Sequence, residues 1–319
     1  MKKELIKKPT GTLDILPEDC IKRRHLENEL INFFNNYNYK EIRTPTFEKT
    51  ELFKRGIGDY TDVVSKEMYS FHNNEFTLKP EMTAPVIRAY LENSMYNLPG
   101  VVKLFYISNM YRHERPQAGR FREFSQFGAE AIGSSSYLID AEMILLCIKI
   151  LEHFGVGNVI TKINTIGSPI ERKDYLNELK KFLKDHIGSL TDTSKNRLEK
   201  NPLRILDTKD EKEIEILKSA PRLYDYLNDS TKKHFVNLLN LLDKLNIKYQ
   251  VDYNLVRGFD YYTSTTFEII SNDLGSQNAI IGGGRYDNLV EELGGKSIPA
   301  IGFACGIERL LFLMEKKQL

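Results

Sequence analysis

Tryptophan is absent from this chain of 319 residues, and cysteine occurs only at Cys20, Cys147 and Cys305. With no CxxC pair and no metal-ligand spacing, a disulfide framework and a structural zinc site are both excluded as expectations. Long apolar runs are missing too. None approaches the roughly 20 residues needed to cross a bilayer, and no apolar core follows the charged start MKKELIKKPTG. Nor is there an excess of charge of one sign: 45 Lys and Arg stand against 44 Asp and Glu, 45 − 44 = +1. That balance does not announce a nucleic-acid binder, although local basic patches can still hold RNA. Neither a GK[ST] phosphate loop nor a GxGxxG dinucleotide fingerprint opens a fold here. The chain is long enough to bury a sizeable core, and it is expected to be soluble and cytoplasmic, with one large domain and a smaller one.

Hydrophobic spacing supplies the coarse architecture. Ile21, Leu26, Leu30, Ile31, Phe33 and Phe34 predict an amphipathic helix over 21–36. YLIDAEMILLCIKILEHF (137–154) predicts another, with an apolar face wide enough to lie on a sheet. KLFYIS (103–108), FREFSQFGAE (121–130), TTFEII (265–270) and AIIGGG (279–284) read as strands bounded by turn residues. The C-terminal FACGIERLLFLME reads as a glycine turn and then a helix with Leu310, Leu311 and Leu313 on its apolar side. Residues 170–247 differ, with 16 Lys and Arg against 14 Asp and Glu in helical patterns and no glycine-punctuated strands. They predict a small helical insertion into a mostly antiparallel α+β domain, which divides the chain into 1–169, 170–247 and 248–319.

Three polar clusters stand out. In 111–124, Arg112, Arg115, Arg120 and Arg122 fall within a few residues of one another, with Pro116 and Gly119 between. A hairpin there would aim Arg112 and Arg120 into one cleft. The planar guanidinium fork suits phosphate, because it donates two parallel hydrogen bonds. Leu255-Val256-Arg257-Gly258-Phe259-Asp260-Tyr261-Tyr262-Thr263 sets a cation, an acid and two phenols beside a glycine. Gly282-Gly283-Gly284-Arg285-Tyr286-Asp287 permits close approach of a ligand or of neighbouring backbone. Taken singly, each of the last two is equally a turn. His113 reads as a packing or hydrogen-bonding residue, and Cys305 as a small buried apolar one.

Together these segments resemble the class II aminoacyl-tRNA synthetases, and among them the histidyl-tRNA synthetases. IRTPTFE (42–48), with Pro45, resembles motif 1; YRHERPQAGRFREFSQ (111–126) resembles motif 2; GFACGIERLL (302–311) resembles motif 3. LVRGFDYYT (255–263) and GGGRYD (282–287) resemble the two histidine-specific signatures, and TLKPEMTAP (77–85) the amino-acid loop. RLEKNPLRILDTK (197–209) resembles the insertion of bacterial-type members.

The resemblance implies ATP-dependent activation of histidine and its transfer to the acceptor end of histidine tRNA. Arg112 would hold the α-phosphate, and Arg120 and Arg309 the distal phosphates. Glu114 would accept from the adenine amino group, with Phe124 stacked on the ring. Arg257 would be the distinctive catalytic arginine, opposite Arg112. Glu81, Thr83 and Gln126 would bind the substrate α-amino group. Glu130 and Tyr262 would read the imidazole nitrogens, with Tyr261 beside them. No protein-held metal is implied, since Mg2+ would arrive with ATP, and motif 1 implies a homodimer. Arg115 and Arg122 would hold the tRNA end.

Two features depart from the family form. Met82 stands where many members have glycine, which could narrow the pocket mouth. The chain also stops soon after motif 3, which raises the expectation of a truncated chain or short paralogue that transfers histidine weakly without an anticodon-binding domain. The rival reading is a non-catalytic, histidine-binding relative, like the regulatory subunit of ATP phosphoribosyltransferase. A class II synthetase for another amino acid is disfavoured by the imidazole pair and RGFDYY.

Overall fold

The computed structural model describes residues 5–58, 61–115, 120–274 and 279–317, without the side chain of Asn272. The tip of the arginine-rich loop, with Pro116, Gln117, Ala118 and Gly119, lies outside the described residues. The strands are β1 (Lys40–Glu41), β2 (Phe47–Lys49), β3 (Ser70–Phe71), β4 (Phe76–Leu78), β5 (Val102–Tyr111), β6 (Glu123–Ile132), β7 (Ile160–Thr165), β8 (Tyr249–Val251), β9 (Thr263–Ile270), β10 (Ala279–Arg285) and β11 (Ala300–Gly306). The α-helices are α1 (Pro17–Asn36), α2 (Thr50–Ile57), α3 (Thr83–Glu92), α4 (Tyr137–His153), α5 (Pro169–Asp185), α6 (Asp192–Lys200), α7 (Glu211–Leu217), α8 (Asp229–Lys244), α9 (Leu289–Glu292) and α10 (Ile307–Lys316).

Eight strands make one sheet in the order β1-β5-β6-β11-β10-β9-β7-β8, and β2-β4-β3 make a small second one. In the large sheet only the outer pairs β1–β5 and β7–β8 are parallel. This is the mostly antiparallel α+β fold that the sequence predicts.

Successive side chains of a strand point to opposite faces, and here the two faces do different work. Phe105, Phe127, Phe267, Ile281, Ile301 and Phe303 form one core cluster with Leu30 and Phe34 of α1, Ile144 of α4, Leu238 of α8 and Leu310 of α10. Each such side chain contributes about 1.5–3 kcal/mol by leaving water. On the other face the strands carry Gln126, Gly128, Glu130, Glu268, Gly282, Gly302 and Ala304, alternating with those core residues. Small residues thus leave a depression in the sheet, and polar ones border it.

Local signals explain where several helices begin. α1 opens with Pro17 and the acids Glu18 and Asp19, which suit the unpaired N–H groups and positive end of a first turn. α5 opens with a capping box, the Ser168 hydroxyl accepting from Glu171 N while the Glu171 carboxylate accepts from Ser168 N. Between β7 and β8 the chain is helical throughout. α8 packs on α4 in the first cluster, whereas α5 places Tyr175, Leu179 and Leu183 in the second. Buried Asp140 of α4 ties these layers together, accepting from Arg285 Nε at 2.8 Å and Thr265 Oγ1 at 2.7 Å, with His234 Nε2 of α8 at 2.8 Å.

Three expectations need correction. FACG is not a turn but the end of β11, inserted between β6 and β10. A central strand covered on both faces lacks the polar alternation that marks a half-exposed one, and its small residues disguised it further. Ile21 is 72% exposed, because the buried stripe of α1 is Leu26, Leu30 and Phe34 and its first turns stand clear of the core. Leu311 is only half-buried, beside the buried Leu310 and Leu313.

A candidate adenylate-forming site

On the polar face of the sheet lies a cavity of about 510 Å³. Glu81, Thr83, Arg112, Glu114, Arg120, Phe124, Gln126, Arg257, Tyr261, Tyr262 and Arg309 all line it. Segments spread over the whole chain therefore converge on one place. Glu130 does not reach the cavity wall: it lies fully buried beneath it.

The arginines gather at one end. The β5–β6 hairpin carries Arg112 and Arg120 on its two arms, and Arg112 N donates to Arg122 O at 2.9 Å across the join. Arg112 Nε donates to Pro80 O at 2.8 Å, and its guanidinium lies 5.3 Å from the Phe124 ring and 5.4 Å from Phe259. Glu114 sits between Arg112 Nη1 at 3.7 Å and Arg120 Nη1 at 3.3 Å. Arg309, in the first turn of α10, donates to Ala279 O at 2.6 Å. Burial lowers the Arg309 pKa, and the Arg120 charge lowers it further. Cations held this close, with their charge opposed, gain most from a polyanion.

Arg257 enters from the loop before β9. Its guanidinium is ion-paired with Glu268 of β9 and lies on Gly282 of β10, where any Cβ would overlap it. Burial opposes its charge, but Glu268 and then Tyr262 outweigh burial and raise its pKa. Its Nε is buried without a hydrogen-bond partner.

At the other end the polar groups are packed more tightly. The Glu81 carboxylate accepts from Thr83 N at 2.7 Å and Ala84 N at 3.0 Å, capping α3. Glu130 accepts from Thr83 Oγ1 at 2.9 Å and from the Tyr286 hydroxyl. Burial pushes its carboxyl up to about 8, against the opposing effect of those hydrogen bonds. Gly302 of β11 makes this possible, because a Cβ there would overlap the Glu130 carboxylate. Met82 is 1% exposed, its side chain in the second core cluster with Thr44 Oγ1 3.4 Å from its sulfur. It packs into the core and also forms part of the cavity wall between Glu81 and Thr83.

Four further side chains at this site carry no individual signal in the sequence. Tyr106 and Glu268 line the cavity from β5 and β9, whose alternation marks them only as strand residues. Tyr286 of GGGRYD and Arg204 of RLEKNPLRILDTK line it as well. His113 stacks edge-on to Tyr69 at 5.4 Å, and Cys305 is buried with its thiol pKa raised. Arg122 donates to Thr10 O at 3.3 Å and so holds the N-terminal segment, while Arg115 is exposed. Among the described residues, no group of three or more His, Cys, Asp or Glu could hold a metal ion, and no helix is long and apolar enough to cross a membrane.

A mostly antiparallel sheet carrying a hairpin of arginines and, at the junction of its strand β11 with α10, a further arginine beside them defines the catalytic core of a class II aminoacyl-tRNA synthetase. The sequence profile of the family described as histidyl-tRNA synthetase matches residues 11–310. A histidine–tRNA ligase of Halothermothrix orenii is 52% identical over 98% of this chain and 75% of its own length. One from Clostridioides difficile is 48% identical over 98% of this chain and 75% of its own. The apo histidyl-tRNA synthetase of S. aureus superposes with a TM-score of 0.79 at 39% identity, covering 99% of this chain and 75% of that one. The chain belongs to the histidyl-tRNA synthetase family.

Proposed function

We propose that this chain joins histidine to ATP as histidyl-adenylate and passes the histidyl group to the acceptor end of histidine tRNA. The observation that carries this reading is the convergence of Arg112, Arg120, Arg257 and Arg309 on the same cavity as Tyr261 and Tyr262. In the first step a histidine carboxylate oxygen attacks the α-phosphorus, and the bond to pyrophosphate breaks. Arg112 and Arg257, which line the same cavity, would stabilise the charge on the five-coordinate phosphorus. Arg120 and Arg309 would hold the departing phosphates, while Phe124 and Glu114 would fix adenine. In the second step the terminal ribose hydroxyl of tRNA attacks the adenylate carbonyl, and AMP leaves. Magnesium would enter with ATP, held mainly by phosphate oxygens, and would spread their charge.

Glu81, Thr83 and Gln126 would anchor the substrate amino group. Tyr262 would meet one imidazole nitrogen, and Glu130, through the floor at Thr83 and Tyr286, the other. A site that satisfies two ring nitrogens rejects side chains lacking them. We also propose a cytoplasmic homodimer formed through motif 1, with 170–247 as the family insertion. A histidine sensor would have no use for guanidiniums on both sides of an α-phosphate, so the ligase reading is preferred. Histidine-dependent exchange of pyrophosphate into ATP tests it: exchange should occur with histidine and not with glutamine or phenylalanine, and its absence would overturn the assignment.

A further inference from the structure

The insertion is wired to the loop that carries Arg257. Its 3-10 turn Pro202–Asp207 brings Arg204 against that loop, where Arg204 Nη1 donates to the Arg257 carbonyl at 2.7 Å. One turn earlier, Asn201 Nδ2 donates to Asp260 Oδ1 at 2.7 Å. Asp260 N in turn donates to Ile57 O at 3.0 Å, which seats the loop on the end of α2. On the opposite lip, Asp62 accepts from Arg197 Nη2 at 3.1 Å and stands 3.8 Å from Arg204 Nη2. Arg204 is largely buried, and burial lowers its pKa. Burying a guanidinium costs free energy that its hydrogen bond to this main-chain carbonyl and the nearby Asp62 carboxylate offset, so Arg204 and the Arg257 main chain are held together. The carbonyl belongs to the residue whose guanidinium lies directly on Gly282, in space that a Cβ there would occupy.

We propose that Arg204 is a positioning residue for adenylation: it fixes the main chain at Arg257, so that docking of the insertion sets where the catalytic guanidinium sits. The inference rests on the reading of Arg257 given above. Its side chain is anchored on two sides, by Glu268 at the head and Gly282 beneath. The main-chain end is anchored by Arg204, and the hydrogen bond of Asn201 to Asp260 prevents the loop from rotating as a unit. Loss of the Arg204 contact leaves histidine's own contacts in place, because Glu81, Thr83 and Gln126 lie on other segments and the Tyr262 carbonyl is held separately by Arg172 Nη2 at 3.2 Å. A shift of about 1 Å in a catalytic group can lower a rate on the order of 100-fold.

The test is pyrophosphate exchange with R204A, R204K, R257A and the double variant R204A/R257A, with melting temperatures measured in parallel. R204A should lower kcat on the order of 10- to 100-fold with the histidine KM within a few-fold. R204K, which keeps one donor for the carbonyl, should recover part of the rate. In the double variant the R204A effect should largely vanish, since there is no guanidinium left to position. Should R204A fail to fold, the same cycle is run with R204K and R204K/R257A, where a smaller kcat loss in R204K should again vanish in the double variant. Effects of R204A and R257A that multiply, or an ATP KM that rises while kcat holds, would show Arg204 acting on substrate by itself and overturn the proposal. Slow exchange by R257A with wild-type exchange by R204A would remove the positioning claim alone. Wild-type exchange by R257A would remove the role of Arg257, and this inference with it.

Discussion

Glu130, which the family resemblance makes a reader of the imidazole, has its carboxylate covered by Thr83 and Tyr286 rather than open to the cavity. Burial lifts its folded pKa to about 8, well above the ordinary carboxyl value of 4.5. A carboxyl whose pKa rises on folding contributes stability in full below the unfolded value and loses it as pH climbs through the folded one. Glu130→Gln cannot titrate. Its melting temperature relative to the parent should therefore move in the variant's favour between about pH 5 and about pH 9. A difference that stays flat with pH would mean that Glu130 is already ionised in the folded protein. The same variant should weaken histidine binding by about tenfold or more while leaving ATP binding within a few-fold, because the amide alters the hydrogen bonds that hold Thr83 and Tyr286 in the floor beneath the ring. Calorimetry with each ligand separates the two, and equal losses would make Glu130 a purely structural group.

At the scale of elements, the sequence was most legible where spacing was strong. The α4 and β5–β6 segments declare themselves by periodicity, and the arginines by their density. β11 and the small β2-β4-β3 sheet do not, since two or three residues carry no period and glycine-rich strands resemble turns. Those glycines nonetheless specify the site, because each leaves room for one functional side chain of a neighbouring segment. This gives paired expectations. Gly282→Ala intrudes on Arg257 and should lower kcat for pyrophosphate exchange on the order of 10–100-fold, with little change in the histidine KM. Gly302→Ala intrudes on Glu130 and should instead raise the histidine KM by a similar factor. Each change also overpacks the sheet, at a cost of about 1–3 kcal/mol, which the melting temperature reports. Identical kinetic signatures from the two would mean that the strands respond as one body and that the floor does not separate rate from specificity.

At the scale of the whole molecule, the resemblance of motif 1 to a dimer-forming segment meets an apolar surface on the small sheet. Phe47, inside motif 1, is 49% exposed and Phe71 is 42% exposed. Their rings lie 5.7 Å apart, and Phe76 stands 5.7 Å from Phe47, so the three make a continuous aromatic patch rather than scattered exposure. Single exposed apolar residues need no explanation, but a cluster of rings is costly to hydrate. The patch spans the three strands of the small sheet, and Phe47 lies on the one that leads into α2, whose Ile57 carbonyl seats the Arg257 loop. A two-fold contact there would brace that loop in both protomers. In an isologous interface one substitution is counted twice, since each protomer presents it to the other. Phe47→Asp should therefore weaken association on the order of 100-fold, from about 1–2 kcal/mol on each side. Its exposure predicts little effect on the fold of a single protomer. Sedimentation across a concentration series measures both expectations: the parent should be dimeric at micromolar concentration, and the variant should dissociate with an unchanged far-UV spectrum. A parent that sediments only as a monomer, or a variant that dimerises as tightly as the parent, would take the interface away from motif 1.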